Sequence, residues 1–212
     1  MATDYRTESL GRYFDDAAAA RPTPGGGSVA AVAGALATTM AAMAAGFTAG
    51  KERFKEVEPE IHAHLERLEE VREALLASAH DDMAAYQGIM AAFRMPKETD
   101  EQASARGEAV REATRVSLDV VGDVRDAGLE ILTIARRLAD IANPNLVSDV
   151  GVAAELALGT VRAAVINTAV NLAGYRDEAD AAAVREATDA ALAEAERLAA
   201  ETRDIVLATL NK

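Results

Sequence analysis

Between Val29 and Gly46 the chain runs for 18 residues without a charge, half of them alanine, and it enters that stretch through "PTPGGGS". The segment is close to the ~20 residues a bilayer span requires, but it has few of the Leu, Ile and Phe residues that drive insertion. It is therefore expected to be a helix buried on all sides at the centre of a helical bundle. Small side chains fill little volume, so neighbouring helices must approach it closely. A second copy of the chain across a two-fold axis is one way to supply them. Three consecutive glycines cost backbone entropy and contribute no packing, which implies that something comes close to the main chain there.

The remaining pattern is helical. Residues 7–20 form a short amphipathic segment with Leu10, Tyr13 and Phe14 on one side, stopped by Pro22 and Pro24. The central helix covers 28–48, with Ser28 as its N-cap. Glu58 and Pro59 open a long helix to about Arg94, Pro59 sitting where a missing N–H costs nothing. Its apolar stripe runs Ile61, Leu65, Leu68, Val71, Leu75, Leu76. Thr99-Asp-Glu-Gln102 has the capping-box pattern and starts a helix, bent near Ser117, that reaches Ala142. "NPN" at 143–145 is a turn. Ser148 or Asp149 caps a helix to about Leu172, and a last one covers about 177–210. No stretch alternates with a period of two. The fold class is all-α, a single domain over 1–212 built as a bundle of six or seven helices around the Ala-rich one.

Composition removes several classes of function. With 35 acidic against 22 basic residues the net charge is −13, which repels a phosphate backbone and argues against nucleic acid as a partner. The absence of cysteine excludes disulfides, a thiolate nucleophile and cysteine zinc sites, and fits a reducing cytoplasm. "MATDYRTESLGRYFDD" shows neither the basic nor the apolar region of a signal peptide, so no membrane partner is expected. His62, His64 and His80 lack metal-ligand spacing and are expected to face solvent, so no metal site is expected.

A few polar groups sit in apolar company. "HDDMAAY" puts Asp82 and Tyr86 on one helix face, and a carboxylate among Leu, Met and Ala has a raised pKa suited to proton transfer. Asp81 is read as facing water. At about 100° per residue, Asp149, Asn167 and Asn171 share one face of their helix. Asp149 is either a cap or a functional carboxylate, and the two amides either bridge helices or orient a ligand. Glu155 and Arg162 look like a local ion pair. Lys51, emerging from the apolar helix, either complements the helix dipole or meets an anionic ligand. The N–H groups of "PGGGS" can hold an anion or a carbonyl, or merely form a turn.

In this order, "PTPGGGSVAAVAGAL", "GKERF", "DDMAAY", "PKETDEQASAR", "NPNLVSDVGVAA" and "NTAVN" resemble the cyclodeaminase and cyclohydrolase family of folate enzymes, over nearly the whole chain. The resemblance implies an all-helical, dimeric protein that acts on a tetrahydrofolate derivative with no other cofactor and no metal. It implies Pro24, Gly25, Gly26, Gly27, Arg106, Asn143, Asn145, Ser148, Asn167 and Asn171 as substrate-binding residues, and Asp82, Asp149 and Lys51 as the catalytic set. Three positions depart from the family pattern: Glu52 separates Lys51 from Arg53, Ala142 replaces a glycine, and Ser117 replaces a proline.

Two reactions fit. A methenyltetrahydrofolate cyclohydrolase adds water to the 5,10-methenyl carbon and opens the ring to the 10-formyl product. A formimidoyltetrahydrofolate cyclodeaminase closes the same ring with loss of ammonia. Both need a carboxylate to move protons, and Asp82 is preferred over Asp149 because it has no cap to make. The absence of an attached formiminotransferase segment favours the cyclohydrolase. A non-catalytic helical scaffold dimerising through the Ala-rich helix is the remaining alternative, and it leaves the glycines and buried carboxylates without a purpose.

Overall fold

The computed structural model describes residues 3–211; Met1, Ala2 and Lys212 lie outside the described residues. Six α-helices follow in order: α1 (Leu10–Ala18), α2 (Gly26–Gly46), α3 (Glu58–Phe93), α4 (Asp100–Ile141), α5 (Val147–Leu172) and α6 (Glu178–Leu210). Short 3₁₀ turns occupy Glu52–Phe54 and Pro144–Leu146, and no strand occurs among the described residues. The all-α reading holds.

Several boundaries form as the sequence dictates. Thr99 and Gln102 make both halves of the capping box at the start of α4, Asp177 caps α6 by accepting from the Asp180 N–H, and Pro59 lies in the first turn of α3. Two caps differ. Gly25, with extended dihedrals, is the N-cap of α2, and Ser28 lies inside its first turn. Neither Ser148 nor Asp149 caps α5, whose N-cap is Leu146 with no side-chain bond; Asp149 lies in the first turn. The preceding 3₁₀ turn, where the Asn143 side chain accepts from the Asn145 N–H, already turns the chain into the helix. α4 is one uninterrupted helix through Ser117.

α2 packs against α3, α4 and α5, and α6 against α4 and α5. One hydrophobic cluster joins all five, from Ala31 and Ala41 of α2 through Leu75 of α3 and Leu132 of α4 to Val161 of α5 and Ala195 of α6. Close approach is visible at Gly34, where a Cβ would meet Leu75 and Thr160 at 3.0–3.1 Å. α2 is not buried on all sides, however: Val29, Leu36, Met43 and Phe47 are exposed along one face. Arg67–Glu130 and Arg137–Glu60 tie α3 to α4, and Arg162–Glu196 ties α5 to α6. Exposed pairs of this kind contribute ~0–1 kcal/mol each, so they mark the register of a bundle held together by apolar packing. Arg162 thus pairs across helices with Glu196, not locally with Glu155, because two residues two turns apart lie too far along the axis.

α1 lies outside the main helix-on-helix interfaces that build the bundle. Its buried side chains are Tyr13 and Asp16. Asp16 accepts from Tyr5, Arg12 and Arg21, while Leu10 and Phe14, read as sharing the buried side with Tyr13, are exposed.

Candidate active site

The glycine run forms the first turn of α2, and what comes close to it is the protein's own α3. The Ser28 N–H donates to Oδ2 of Asp82 at 3.0 Å, and a Cβ on Gly27 would collide with Oδ1 of the same carboxylate. At Gly26 a Cβ would come within 3.1 Å of Oδ1 of Asn167 on α5. None of the three glycines has a positive φ; they provide space, and their conformational freedom is not used. Asp82 therefore does have a cap to make, closing from another helix an N-terminal N–H that has no partner within α2.

This placement sets the electrostatics. Burial raises the Asp82 carboxyl above the usual range, and the Ser28 hydrogen bond opposes that rise. The positive end of the α2 dipole favours the charged form as well. Tyr13, buried beneath α1, shares a 3.1 Å hydrogen bond with the Ser28 hydroxyl; burial pushes its phenol up, and the Asp82 charge adds to the rise. Asn167 spends its amide N–H on the Ala163 carbonyl at 2.8 Å, leaving Oδ1 toward Gly26. One turn on, Asn171 donates to Ser117 on α4 at 2.9 Å and so bridges helices.

The other expected residues lie elsewhere. The 21 residues of α2 span about 30 Å at 1.5 Å per residue, and Lys51 follows its far end. There Lys51 Nζ stands 5.8 Å from the centre of the Phe47 ring. Asn143 is buried beside it, its N–H donating to Thr48 Oγ1 at 2.8 Å. Asn145, Ser148 and Asp149 follow in the same turn and helix start. A cavity of about 570 Å³ opens at this end, lined in part by Arg53, Phe54, Asp140, Asn143 and Val147. Arg106 lies on the first part of α4, donating to the Phe93 carbonyl at 3.2 Å with its guanidinium over the Phe93 ring.

Residues 9–190 match the family described as Formiminotransferase-cyclodeaminase. The chain belongs to this family. A methenyltetrahydrofolate cyclohydrolase of Methylorubrum extorquens is 33% identical over 204 residues, covering 96% of this chain and 98% of that protein. The crystal structure of a formiminotetrahydrofolate cyclodeaminase from Thermotoga maritima superposes with a TM-score of 0.89 at 28% identity, covering 97% and 98% of the two chains. A formimidoyltransferase-cyclodeaminase of Gallus gallus is 26% identical over 172 residues, 32% of its length.

Within one chain of this formiminotransferase-cyclodeaminase family member, the thirteen expected site residues fall into separate groups. Pro24, Gly25, Gly26, Gly27, Asp82, Asn167 and Asn171 gather around the start of α2. Lys51, Asn143, Asn145, Ser148 and Asp149 gather past its end, and Arg106 stands on the α3–α4 hairpin. Asp149 and Asn167 share a face of α5 but lie 18 residues apart, about 27 Å along the axis. Tyr13 was missed as a neighbour of the site; its partner Ser28 lies 15 residues further along the chain, beyond the proline-containing loop, and no local spacing signals the bond. Of the histidines, His62 is exposed, whereas His64 and His80 are half-buried, with Nε2 and Nδ1 respectively lacking a hydrogen-bond partner. No group of three metal-ligating side chains occurs among the described residues.

Proposed function

We propose that the chain is a methenyltetrahydrofolate cyclohydrolase, converting 5,10-methenyltetrahydrofolate to 10-formyltetrahydrofolate with Asp82 as the proton-transfer group. The observation that carries this reading is a carboxylate with a raised pKa held at a helix N-terminus lined by glycines. The near full-length likeness to the Methylorubrum extorquens cyclohydrolase supports the choice of substrate.

In the reaction, a water oxygen bonds to the methenyl carbon and one of its protons passes to the Asp82 carboxylate. The C–N5 bond then breaks. N5 takes the bonding pair and the proton from Asp82, the hydroxyl proton leaves to solvent, and the carbon becomes a formyl group on N10. One water is consumed and one proton released. A carboxylate whose pKa lies above the usual range is a stronger base than an ordinary aspartate and takes the proton from the attacking water more readily. Orientation of the flat ring at the same helix start is the role we assign to Asn167 Oδ1 and the glycine N–H groups. Lys51 is the cation assigned to an anionic part of the substrate, and the partner we assign to the chain is a second copy of itself.

The likeness to the Thermotoga maritima protein favours cyclodeamination as the second reading. Two assays on purified protein separate them: loss of methenyltetrahydrofolate absorbance, and ammonia release from 5-formiminotetrahydrofolate. Acceleration of the first alone is the expected result. Acceleration of the second alone makes the chain a cyclodeaminase, and background rates in both refute an enzyme of either kind.

A further inference from the structure

The helices beside α2 outrun it at the end where Asp82 stands. A Cβ on Gly27 would meet Asp82 and one on Gly34 would meet Leu75, so seven residues forward in α2 match seven residues back in α3. In the same way Gly26 meets Asn167 and Gly34 meets Thr160 of α5. Both neighbours therefore run antiparallel to α2, and both continue past its first residue, Gly26. Beyond that level, side chains on the faces that packed against α2 no longer have it as a partner. The Ser28 N–H is taken by Asp82 there, whereas the N–H groups of Gly26 and Gly27 have no acceptor among the described residues.

Tyr86 is the first large side chain of α3 in that position. It lies one turn beyond Asp82, about 6 Å along the axis, and on the same helix face. It is 37% exposed. Each of the other three tyrosines commits its hydroxyl: Tyr5 to Asp16, Tyr13 to Ser28 and Tyr175 to Asp180. Tyr86 has neither a hydroxyl partner nor an aromatic neighbour among the described residues. An uncommitted aromatic ring thus stands one turn from the carboxylate and from the free glycine N–H groups.

We infer that Tyr86 is the face on which the cationic ring of the substrate stacks, and that it selects the charged substrate over the neutral product. The inference rests on the proposed cyclohydrolase reading and deepens it. In 5,10-methenyltetrahydrofolate a positive charge is shared by N5, the bridging carbon and N10, all within one flat system; the 10-formyl product has lost that charge. A cation lying on a tyrosine ring is attracted by the negative face of its quadrupole. Asp82 gives and takes a proton during the reaction, so it is not a constant counter-charge. The ring face is the same before and after that transfer. Its hold on the ligand lapses when water adds to the carbon and the charge disappears, which favours release of the product.

Two measurements test it. In steady-state kinetics with 5,10-methenyltetrahydrofolate, Tyr86→Leu is expected to raise KM about tenfold and to lower kcat less than threefold, because the contact belongs to the bound substrate and not to the transition state. Tyr86→Phe, which keeps the ring and loses the hydroxyl, should raise KM less than threefold. In calorimetry on wild type and Tyr86→Leu, tetrahydrofolate, which lacks the cationic bridge, should lose less than threefold in affinity. A KM unchanged in Tyr86→Leu, or a loss as large in Tyr86→Phe as in Tyr86→Leu, overturns the stacking. An equal loss for the charged and the neutral folate overturns the selection of charge. Should Asp82→Asn keep the wild-type rate, the proton-transfer role of Asp82 falls, and the Tyr86 comparison still decides the stacking because it is read on the active enzyme. A wild-type protein that neither binds nor converts either folate overturns both readings.

Discussion

The N–H of Ser28 donates to the carboxylate of Asp82 across 3.0 Å and 54 residues of sequence. One side chain of α3 thereby closes the first turn of α2 while presenting a carboxylate of raised proton affinity beside three glycines. Asparagine can still accept that N–H and alanine cannot. Asp82→Asn is therefore expected to lower kcat at least ~100-fold, as loss of an acid–base group does, with little change in melting temperature. Asp82→Ala should lower kcat similarly and also lose ~1–3 kcal/mol of stability, because a buried donor is left unpaired. Denaturant unfolding of the two variants beside wild type checks both halves. Equal stability of the two would show that the hydrogen bond contributes nothing measurable.

The direction of the Asp82 shift fixes a pH dependence. Because burial raises its folded-state pKa, the native protein holds this proton at pH values where the unfolded chain has released it. This contribution to stability is fully present below the ordinary aspartate pKa of about 4 and is lost as pH rises through the raised value. Asp82→Asn should remove it, so the stability of the variant relative to wild type increases over that window. Paired unfolding curves at several pH values measure the difference; a constant difference would mean that the carboxyl titrates normally.

Gly27 and Gly26 should differ in their tolerance. A methyl on Gly27 collides with Asp82 Oδ1, so Gly27→Ala must move the carboxylate. It is expected to lower kcat by more than tenfold. A methyl on Gly26 meets only the Asn167 amide, at 3.1 Å, and a shift of a few tenths of an ångström accommodates it, so Gly26→Ala should act mainly on KM. Steady-state kinetics of both variants decide, and equal effects would show that steric access to Asp82 is not what the glycines provide.

Tyr13→Phe removes the hydroxyl bonded to Ser28 in a buried setting. A loss of ~1 kcal/mol is expected, with helicity unchanged by circular dichroism. Combined with Ser28→Ala, the loss should be less than the sum of the two single changes, since both remove the same bond. Full additivity would show that the hydroxyls do not interact in solution.

Much of the fold was legible because its signals are local. The capping box at Thr99, Asp177 before α6, Pro59 at the start of α3 and the "NPN" turn each act within a few residues, and each stands where it was expected. The partners of Asp82, Arg162 and Asn171 lie on other helices, and no spacing along one helix identifies them. Ser28 was misplaced for the same reason: a serine beside glycines has the chemistry of an N-cap, but an acceptor from α3 shifts the cap to Gly25. The division of the site was more accessible. Once residues 28–48 are read as helix, the distance from Gly27 to Lys51 follows from the rise per residue, whereas a list of family motifs carries no distances.

The attachment of α1 has a consequence for local stability. Nine residues with two buried side chains, outside the interfaces that hold the other five helices, form a unit that can open at a fraction of the free energy of global unfolding. When it opens, Tyr13 leaves Ser28 and the first turn of α2 meets water, while the apolar packing from Ala31 through Leu132 to Ala195 is untouched. Amide exchange would therefore divide the molecule into two classes, with α1 in the fast one, and the wall it provides over the start of α2 is the first part of the protein to become transient on heating.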